Sequence, residues 1–154
     1  MNKKLKAIIF LLIICMMSFS NVKALENTNT YIEETFDDGS YIEIVIDEGN
    51  TNARTSITKK KTATYKGSDG TAYWSVTVTG TFNYNGTTSS CTSSSVSTAN
   101  YSSTWKLSNK KASKSGATAS ASVTAKQYHS NGTTVLKTIN KTVKLTCDKN
   151  GKLS

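Results

Sequence analysis

Apolar and polar residues alternate with a period of two along most of the chain. Residues 72–84 show this most clearly, because the large apolar side chains of Trp74, Val76 and Val78 fall on one parity while serine and threonine side chains fall mainly on the other. Residues 117–125 repeat the alternation with alanine and valine on one parity. A period of two predicts half-buried β-strands that keep one face in water.

Glycine-containing turns separate the alternating runs. Aspartate, serine or asparagine precedes the glycine in each of them, which is typical of hairpin turns. The turns are Asp38-Gly39, Asp69-Gly70, Asn85-Gly86, Ser115-Gly116 and Asn131-Gly132. They predict an N-terminal hairpin followed by strands near residues 57–66, 71–84, 87–98, 101–112, 117–128 and 133–147. Several short strands at this spacing favour a β-sandwich or barrel.

The spacing from Cys91 to Trp105 is similar to that in an immunoglobulin domain, where the tryptophan packs on a disulfide. However, Leu145 stands where that domain has a tyrosine, and only seven residues follow Cys147. We therefore expect an all-β chain folded as an antiparallel β-sandwich that is immunoglobulin-like in general architecture only. Trp74 and Trp105 are expected in its core.

Strand parity predicts which residues face each other across the hairpins. Counting back from a two-residue loop at Asn85-Gly86 places Gly80 opposite Cys91 on the inner face. Counting from the last turn places Lys137 and Lys141 on the inner face of the final strand. Alternation alone offers no reason for two inward lysines.

The N-terminus has the pattern of a secretory signal peptide. Three lysines precede an apolar segment over residues 7–17, and Val22 and Ala24 are small residues before a cleavage site. The apolar segment is shorter than the about 20 residues that a membrane-spanning helix needs. We predict that residues 1–24 are removed and that the protein is secreted into the extracellular space. An uncleaved signal-anchor and a cut after Ser20 are the alternatives.

Charge divides the rest of the chain into two parts. Residues 25–50 contain eight carboxylates and no basic residue, whereas residues 51–154 contain fifteen basic residues and two carboxylates. The predicted mature chain therefore has a net charge of +5. We expect an acidic hairpin over residues 25–50, a linker over residues 51–56 and a basic domain, rich in threonine and serine, over residues 57–154.

The acidic hairpin has three interpretations. Its apolar face, formed by Ile42, Ile44 and Ile46, could cover the sheet while its carboxylates face lysines. It could be a pro-segment that masks the basic domain until cleavage near Arg54. It could also be a mobile arm that adds its strands to a partner's sheet. We favour the first, docked arrangement.

Two cysteines, Cys91 and Cys147, remain after removal of the signal peptide. An even number of cysteines in an exported chain favours a disulfide, which in the chain-entropy model would stabilise the fold by roughly 4 kcal/mol. A catalytic thiol is the alternative, but it needs a positioned base. The single histidine, His129, falls in a predicted hairpin turn. We therefore predict a disulfide between Cys91 and Cys147 and an exposed His129.

No catalytic or metal-binding constellation is evident in the sequence. Asp37, Asp38 and Glu43 lie close together, but they lack the alternating oxygen ligands and the fixed glycine of a calcium loop. Zinc-ligand spacing and a glycine-rich phosphate loop are both missing. We expect a protein that is not an enzyme and that uses no metal and no cofactor.

Basic residues cluster in two stretches, KKKTATYK at 59–66 and KLSNKKASK at 106–114. Such runs are most often solvated surface, but a basic exported domain also attracts anionic surfaces. We expect cell-wall polymers, mucin or other glycans as partners rather than nucleic acid, because no basic face rich in aromatic residues is evident. The predicted surface-binding residues are Lys59, Lys60, Lys61, Tyr73, Lys110, Lys111 and Lys114; Tyr73 is expected to be exposed and to stack on a sugar.

Three stretches carry a resemblance to a known family: YKGSDGTAYWSVTVTGTFNYNGTTSSCTSSSVST, SSTWKLSNKKASKSGATASASVTAKQY and the terminal VKLTCDKNG. Over about residues 57–151 the chain resembles a family of small exported proteins of unknown function from Clostridia. The resemblance implies export and paired cysteines, and it implies no particular activity.

Together, these patterns predict a non-enzymatic extracellular or cell-surface-associated β-domain that binds an anionic or glycan surface. The alternative is a secreted antagonist or toxin-like effector that its acidic N-terminal segment masks.

Overall fold

The computed structural model describes residues 28–48 and 55–154. The predicted signal peptide, its cleavage site after Ala24 and Arg54 of the predicted linker lie outside the described residues. Within the described ranges, no helix is long and apolar enough to cross a lipid bilayer.

Two antiparallel sheets pack as a sandwich, which confirms the predicted all-β fold class. The strands are β1 (Thr28–Thr35), β2 (Tyr41–Asp47), β3 (Ser56–Lys66), β4 (Ala72–Tyr84), β5 (Ser89–Asn100), β6 (Trp105–Ser115), β7 (Thr118–Tyr128) and β8 (Val135–Thr146). Sheet A has the order β1-β2-β3-β4-β5 and sheet B has the order β6-β7-β8. Each sheet is thus a simple meander, unlike the Greek-key connections of an immunoglobulin domain.

The strands predicted after the acidic hairpin are all present, with limits a few residues from those expected. The start of β6 differs most, because it lies at Trp105 rather than near residue 101. The N–H of Trp105 donates to the carbonyl of Ser102 at 3.2 Å, and Nδ2 of Asn100 donates to the carbonyl of Trp105 at 2.8 Å. These bonds form the turn that carries the chain from sheet A to sheet B.

An aromatic cluster fills one end of the core. Trp74 and Trp105 are buried, as the sequence predicts. The Tyr65 ring stacks on Trp74 with centroids 5.5 Å apart and packs against Trp105 at 5.1 Å. Neither indole N–H has a hydrogen-bond partner among the described residues, and each such buried donor costs about 1–3 kcal/mol. The burial of about 150–250 Å² by each aromatic ring system offsets that cost.

The acidic hairpin β1–β2 is docked as part of sheet A. β2 pairs antiparallel with β3, so that Ile42 lies opposite Tyr65 and Ile44 lies opposite Ala63. Ile42 and Ile44 are 0% exposed and Ile46 is 3% exposed. Among the three interpretations of this segment, the described structure has the docked arrangement.

Sheet A has five strands and sheet B has three, so the β1–β2 hairpin extends beyond the edge of sheet B and leaves a gap beside it. In the described part of the chain, sheet B lies against β3, β4 and β5, and none of its strands lies against β1 or β2. Side chains of β8 reach across this gap instead. Lys137 and Lys141 are on the inner face of β8, as parity predicts, since Lys141 lies opposite the buried Val123 of β7.

The Lys137 ammonium lies in a cage made by the hairpin turn and β3. Its Nζ donates to Asp38 Oδ2 at 3.1 Å and to Tyr65 Oη at 3.0 Å. It also lies 4.3 Å from the centroid of the Phe36 ring, within the range of a cation–π interaction. Burial alone would lower the pKa of Lys137, but the hydrogen bonds to Tyr65 and Asp38 outweigh it and raise that pKa.

Lys141 forms a second ion pair across the same gap, with Glu33 of β1. The Lys141 side chain is only 11% exposed, so its aliphatic stem covers apolar surface while the ammonium reaches the carboxylate. We refer to the pairs Lys137–Asp38 and Lys141–Glu33 as the clasp. The clasp explains the two inward lysines that alternation alone leaves without a role.

A β-bulge in the β4–β5 hairpin changes the predicted register beside Cys91. Because of the bulge and a loop longer than two residues, Cys91 lies opposite Phe82 and Gly80 lies opposite Ser94. The expectation that Gly80 faces Cys91 is therefore wrong. A β-carbon at Gly80 would lie 2.5 Å from Phe82 Cζ and 2.8 Å from Cβ of Ala119. The glycine makes room for an aromatic ring and for the opposite sheet.

Gly80→Ala is expected to destabilise the protein by about 1–3 kcal/mol, because the added methyl group overpacks the core. Urea unfolding measures the change, with Thr79→Ala on the outer face as a control. The double variant Gly80→Ala/Phe82→Leu should lose less unfolding free energy than the sum of the two single variants. The smaller leucine side chain leaves room for the added methyl group. A Gly80→Ala protein as stable as the wild type would contradict this packing.

The clasp makes stability depend on acid pH. Hydrogen bonds from Ser40 and Lys137 lower the pKa of Asp38 to about 2. A carboxyl with a lowered folded-state pKa stabilises the fold above its unfolded pKa of about 3.9, and this contribution is lost as the pH falls toward about 2. We expect Asp38→Asn to remove this part of the pH dependence. Urea unfolding between about pH 5 and pH 2 measures it.

Asp37→Asn is the matched control, because it removes a neighbouring carboxylate that takes no part in the clasp. It should keep the wild-type slope of unfolding free energy against pH. An Asp38→Asn protein with that same slope would show that the Asp38 carboxylate does not contribute to the acid sensitivity.

Candidate functional site

The two sheets carry opposite net charge. The described residues up to Asn100, which build sheet A, contain eight carboxylates and four lysines, a net charge of −4. Residues 101–154, which contain sheet B, have ten lysines and one carboxylate, a net charge of +9. The charge boundary therefore lies between the sheets, because the acidic hairpin extends sheet A.

The outer face of sheet B combines lysines with hydroxyl and amide side chains. β7 is the central strand, and its outward residues pair with outward residues of β6 and β8. The three strands contain no carboxylate. We call this surface the lysine face. It consists of Lys106, Ser108, Lys111 and Ser113 on β6, Ser120, Ser122, Thr124 and Lys126 on β7, and Thr138, Asn140, Thr142 and Lys144 on β8.

Two lysines of this face lie directly opposite each other. Lys106 pairs with Lys126 in the β6–β7 register, and like charges in that position are destabilising. Lys106 Nζ lies 4.7 Å from the centroid of the Tyr128 ring, which supplies partial compensation. No ion pair of the described residues involves a lysine of this face. The face therefore presents a positive charge that no carboxylate neutralises.

A shallow groove crosses the lysine face. A β-bulge in β6 holds Asn109 at a φ of 52°, a left-handed conformation that asparagine tolerates. Asn109 Nδ2 donates to Thr124 Oγ1 at 3.3 Å, and Thr124 Oγ1 donates to Asn140 Oδ1 at 2.8 Å. The groove has a volume of about 240 Å³, below the about 300–1,000 Å³ of pockets that enclose small ligands. It suits surface contact with a polymer better than enclosure of a small molecule.

Another groove, of about 420 Å³, lies beside the β4–β5 turn. Hydroxyl and amide side chains and the Tyr84 ring line it, without a charged residue. The Tyr84 ring packs closely over Gly151, where a β-carbon would lie 2.6 Å from Tyr84 Cζ. This groove therefore has no charge that would attract a polyanion, and its aromatic ring holds the C-terminal segment.

The structure separates the lysines predicted on β3. Lys60 is exposed on the outer face of sheet A. Lys59 and Lys61 are 8% and 9% exposed and lie on the inner face. Lys61 Nζ lies 6.0 Å from the centroid of the Tyr31 ring. These three lysines do not form a common surface, because neighbours along a strand point to opposite faces.

Tyr73 is half-buried, and the expectation of an exposed stacking platform is wrong. A β-bulge makes Tyr65 pair with Trp74 and Lys66 pair with Ala72, which leaves Tyr73 as the extra residue of β4. Its ring packs beside Tyr65, with centroids 6.0 Å apart. The bulge thus turns an outward position toward the aromatic cluster.

The three lysines predicted on β6 take different positions. Lys111 belongs to the lysine face, opposite Ser122. Lys110 is exposed in the β-bulge. Lys114 extends toward sheet A, where its Nζ donates to the carbonyl of Thr92 at 2.6 Å. Of these three residues, only Lys111 contributes to the paired rows of the lysine face.

Sequence reasoning missed most of the residues that build the lysine face and its groove. These residues are divided among three strands that are far apart in sequence: Asn109 on β6, Thr124 and Lys126 on β7, and Asn140 and Lys144 on β8. A local cluster of charge therefore does not mark them. The available signal was the outward parity of these residues together with the lack of any carboxylate over the last three strands.

The thiols have no imidazole base beside them. Cys91 and Cys147 are buried free thiols, so the predicted disulfide between them is not present in the described structure. Burial raises the pKa of each thiol. Their hydrogen-bond acceptors are the carbonyls of Ser93 and Asp148. His129 is exposed in the β7–β8 turn, as predicted. The arrangement favours packing over nucleophilic catalysis by either cysteine.

Within residues 28–48 and 55–154, no group of three or more histidine, cysteine, aspartate or glutamate residues is placed to hold a metal ion. No protein-family model, curated protein or solved structure matches the chain. Charge and geometry alone therefore identify the lysine face as the candidate site.

Lys126→Gln is expected to stabilise the fold by about 0.2–1 kcal/mol at low salt, because it removes the repulsion between Lys106 and Lys126. The gain should disappear at about 1 M salt, where the Debye length is about 3 Å. Urea unfolding at both salt concentrations tests this. Lys144→Gln is the matched control, since Lys144 lies opposite the uncharged Ser120. A Lys126→Gln protein that is less stable at low salt would contradict the argument.

Proposed function

We propose that the protein is an exported, non-enzymatic β-sandwich that binds extracellular polyanionic polymers through its lysine face. The ligand class is a polymer that carries both anionic groups and hydroxyls. Acidic glycans such as those of mucin and polyol-phosphate polymers of the cell wall share this chemistry. The proposal of export rests on the signal-peptide pattern of residues 1–24.

One observation carries the proposal: the strands of sheet B contain eight lysines and no carboxylate. The clasp uses Lys137 and Lys141, and the remaining lysines have no ion-pair partner among the described residues. A protein surface of one sign attracts and orients a polymer of the opposite sign. Repulsion between Lys106 and Lys126 would be relieved by an anionic group bound between them.

The groove supports a hydroxyl-bearing polymer rather than a bare polyanion. Asn109, Thr124 and Asn140 form a hydrogen-bonded chain across all three strands. Amide and hydroxyl groups both donate and accept hydrogen bonds, so they can match the hydroxyls of a sugar or polyol. Lys111 lies in the neighbouring row on one side of these residues, and the Lys106–Lys126 pair lies in the neighbouring row on the other side. Hydroxyl recognition and charge attraction are therefore available on one surface.

The alternative, a secreted effector masked by its acidic segment, has less support. The apolar face of β2 is buried in the core, so removal of the hairpin would expose Ile42, Ile44 and Ile46 to water. In addition, Asp38 and Glu33 pair with the clasp lysines. The hairpin belongs to sheet A, whereas the lysine face is the outer surface of sheet B. Removal of the hairpin would open the core without uncovering the lysine face.

Retention of the full chain on immobilised polymers tests the proposal. Acidic mucin glycan, purified wall polyol-phosphate polymer and an uncharged glycan form three separate columns, each eluted with a salt gradient. We expect salt-dependent retention on at least one anionic column and none on the uncharged column. Replacing Lys106, Lys126 and Lys144 by glutamine should weaken binding by about 3 kcal/mol, or about a hundredfold, if each lysine contributes about 1 kcal/mol near an anionic surface.

Lys60, Lys149 and Lys152 replaced by glutamine form the matched control, because the same net charge is lost away from the lysine face. The control variant should elute at a salt concentration close to that of the wild type. Equal weakening by both triple variants would mean that net charge alone governs retention. That outcome, or no retention on either anionic polymer, would overturn the proposal.

A further inference from the structure

Cys91 and Cys147 converge on one turn at the end of the sandwich away from the aromatic cluster. Cys91 lies on β5 of sheet A, and Cys147 directly follows β8 of sheet B. The N–H of Cys91 donates to the carbonyl of Gly116 at 2.7 Å, and the N–H of Cys147 donates to the carbonyl of Ala117 at 3.1 Å. Consecutive α-carbons are about 3.8 Å apart, so the β6–β7 turn holds both cysteine backbones close together.

The two side chains occupy the same buried region. Cys91 is 7% exposed and Cys147 is 1% exposed. Burial raises the pKa of the Cys147 thiol, and the nearby Ser89 hydroxyl, which makes no hydrogen bond within the described residues, lowers it in part. Ser89 and Cys91 are two positions apart on β5 and lie on the same face of that strand. The Cys147 thiol therefore lies over the face of β5 from which the Cys91 side chain projects.

We propose that Cys91 and Cys147 are oxidised to a disulfide that joins sheet A to sheet B. The oxidant is a small-molecule or protein disulfide of the extracytoplasmic compartment. One cysteine thiolate attacks that disulfide, forms a mixed disulfide and releases one thiol of the oxidant. The second cysteine thiolate then attacks the mixed disulfide at the protein sulfur, forms the Cys91–Cys147 bond and releases the second thiol. Two electrons and two protons pass from the protein to the oxidant, which becomes two thiols.

The bond would close the end of the sandwich where the C-terminal segment folds back. Cys147 pairs with Leu153 in an isolated bridge, and Thr146 and Ser154 exchange backbone hydrogen bonds at 2.9 and 3.0 Å. The N–H of Gly86 donates to the carbonyl of Lys149 at 2.8 Å. These contacts already hold the segment against the β4–β5 turn. The disulfide would therefore link parts that the fold already brings together.

The reaction should be slow in the folded protein near neutral pH. Burial raises the pKa of both thiols, and the thiolate is the attacking form. A rise in pH increases the thiolate fraction, so the oxidation rate should rise with pH. An exposed cysteine with an ordinary pKa would follow the same trend but would react faster at neutral pH.

Oxidation of the full chain carrying Cys15→Ser tests the inference, because only Cys91 and Cys147 then carry thiols. The reduced, folded protein is incubated with oxidised glutathione and then unfolded for thiol titration and peptide mass mapping. We expect no free thiol and a single crosslinked pair of peptides. The melting temperature should rise by about 10 °C on oxidation and should return to that of the reduced protein after treatment with a reductant.

Cys91→Ser and Cys147→Ser, each in the Cys15→Ser chain, are the controls, and their melting temperatures should not gain this increment on oxidation. Two titratable thiols after oxidation of the parent chain would overturn the inference. A glutathione adduct on each cysteine without a crosslinked pair would overturn it as well. The thiol titration remains informative if a serine variant fails to fold, since it uses the parent chain. It is also independent of any binding by the lysine face.

Discussion

The mismatch in width between the two sheets is the constraint on which much of this structure depends. Three strands cannot cover five, so the isoleucines of β2 need shielding that no strand of sheet B provides. Long lysine side chains suit this position, because their stems are apolar and their ammonium groups can reach the rim. Lys137 and Lys141 then require carboxylates, and the hairpin provides Asp38 and Glu33. Two carboxylates of the acidic N-terminal segment thus have a structural role.

The clasp also determines where unpaired charge remains. It neutralises two lysines on the inner side of sheet B and leaves the lysine face without a carboxylate. The cross-strand contact between Lys106 and Lys126 runs against the usual preference for opposite charges in neighbouring strands. A surface that departs from such a local rule with only partial internal compensation is a place to expect binding. The same rule is obeyed at Lys66 and Glu43, which pair at 2.7 Å on sheet A.

Alternation was sufficient to predict the strands, because a period of two reports directly on burial. Register was predicted less well, because a β-bulge adds one residue that hydrophobic periodicity does not reveal. Bulges account for the unexpected positions of Gly80 and Tyr73 and for the groove at Asn109. The candidate site was harder still to predict. Lys106 and Lys126 are distant in sequence and become neighbours only through strand pairing, and pairing also brings Lys144 onto the same face, whereas the adjacent lysines 59–61 are divided between two faces.

The lysine face lies on regular strands rather than on loops, and this affects what it can bind well. Its central strand pairs on both sides, the turn at Gly116 and Ala117 is held by backbone bonds from both cysteines, and Trp105 is fixed in the core at the other end. The rows of side chains are therefore positioned before any ligand arrives, which reduces the entropy lost on binding. The lysine heads remain flexible, so they can follow anionic groups of variable spacing. A rigid scaffold with mobile charged ends fits a repetitive, heterogeneous polymer better than a single defined small molecule.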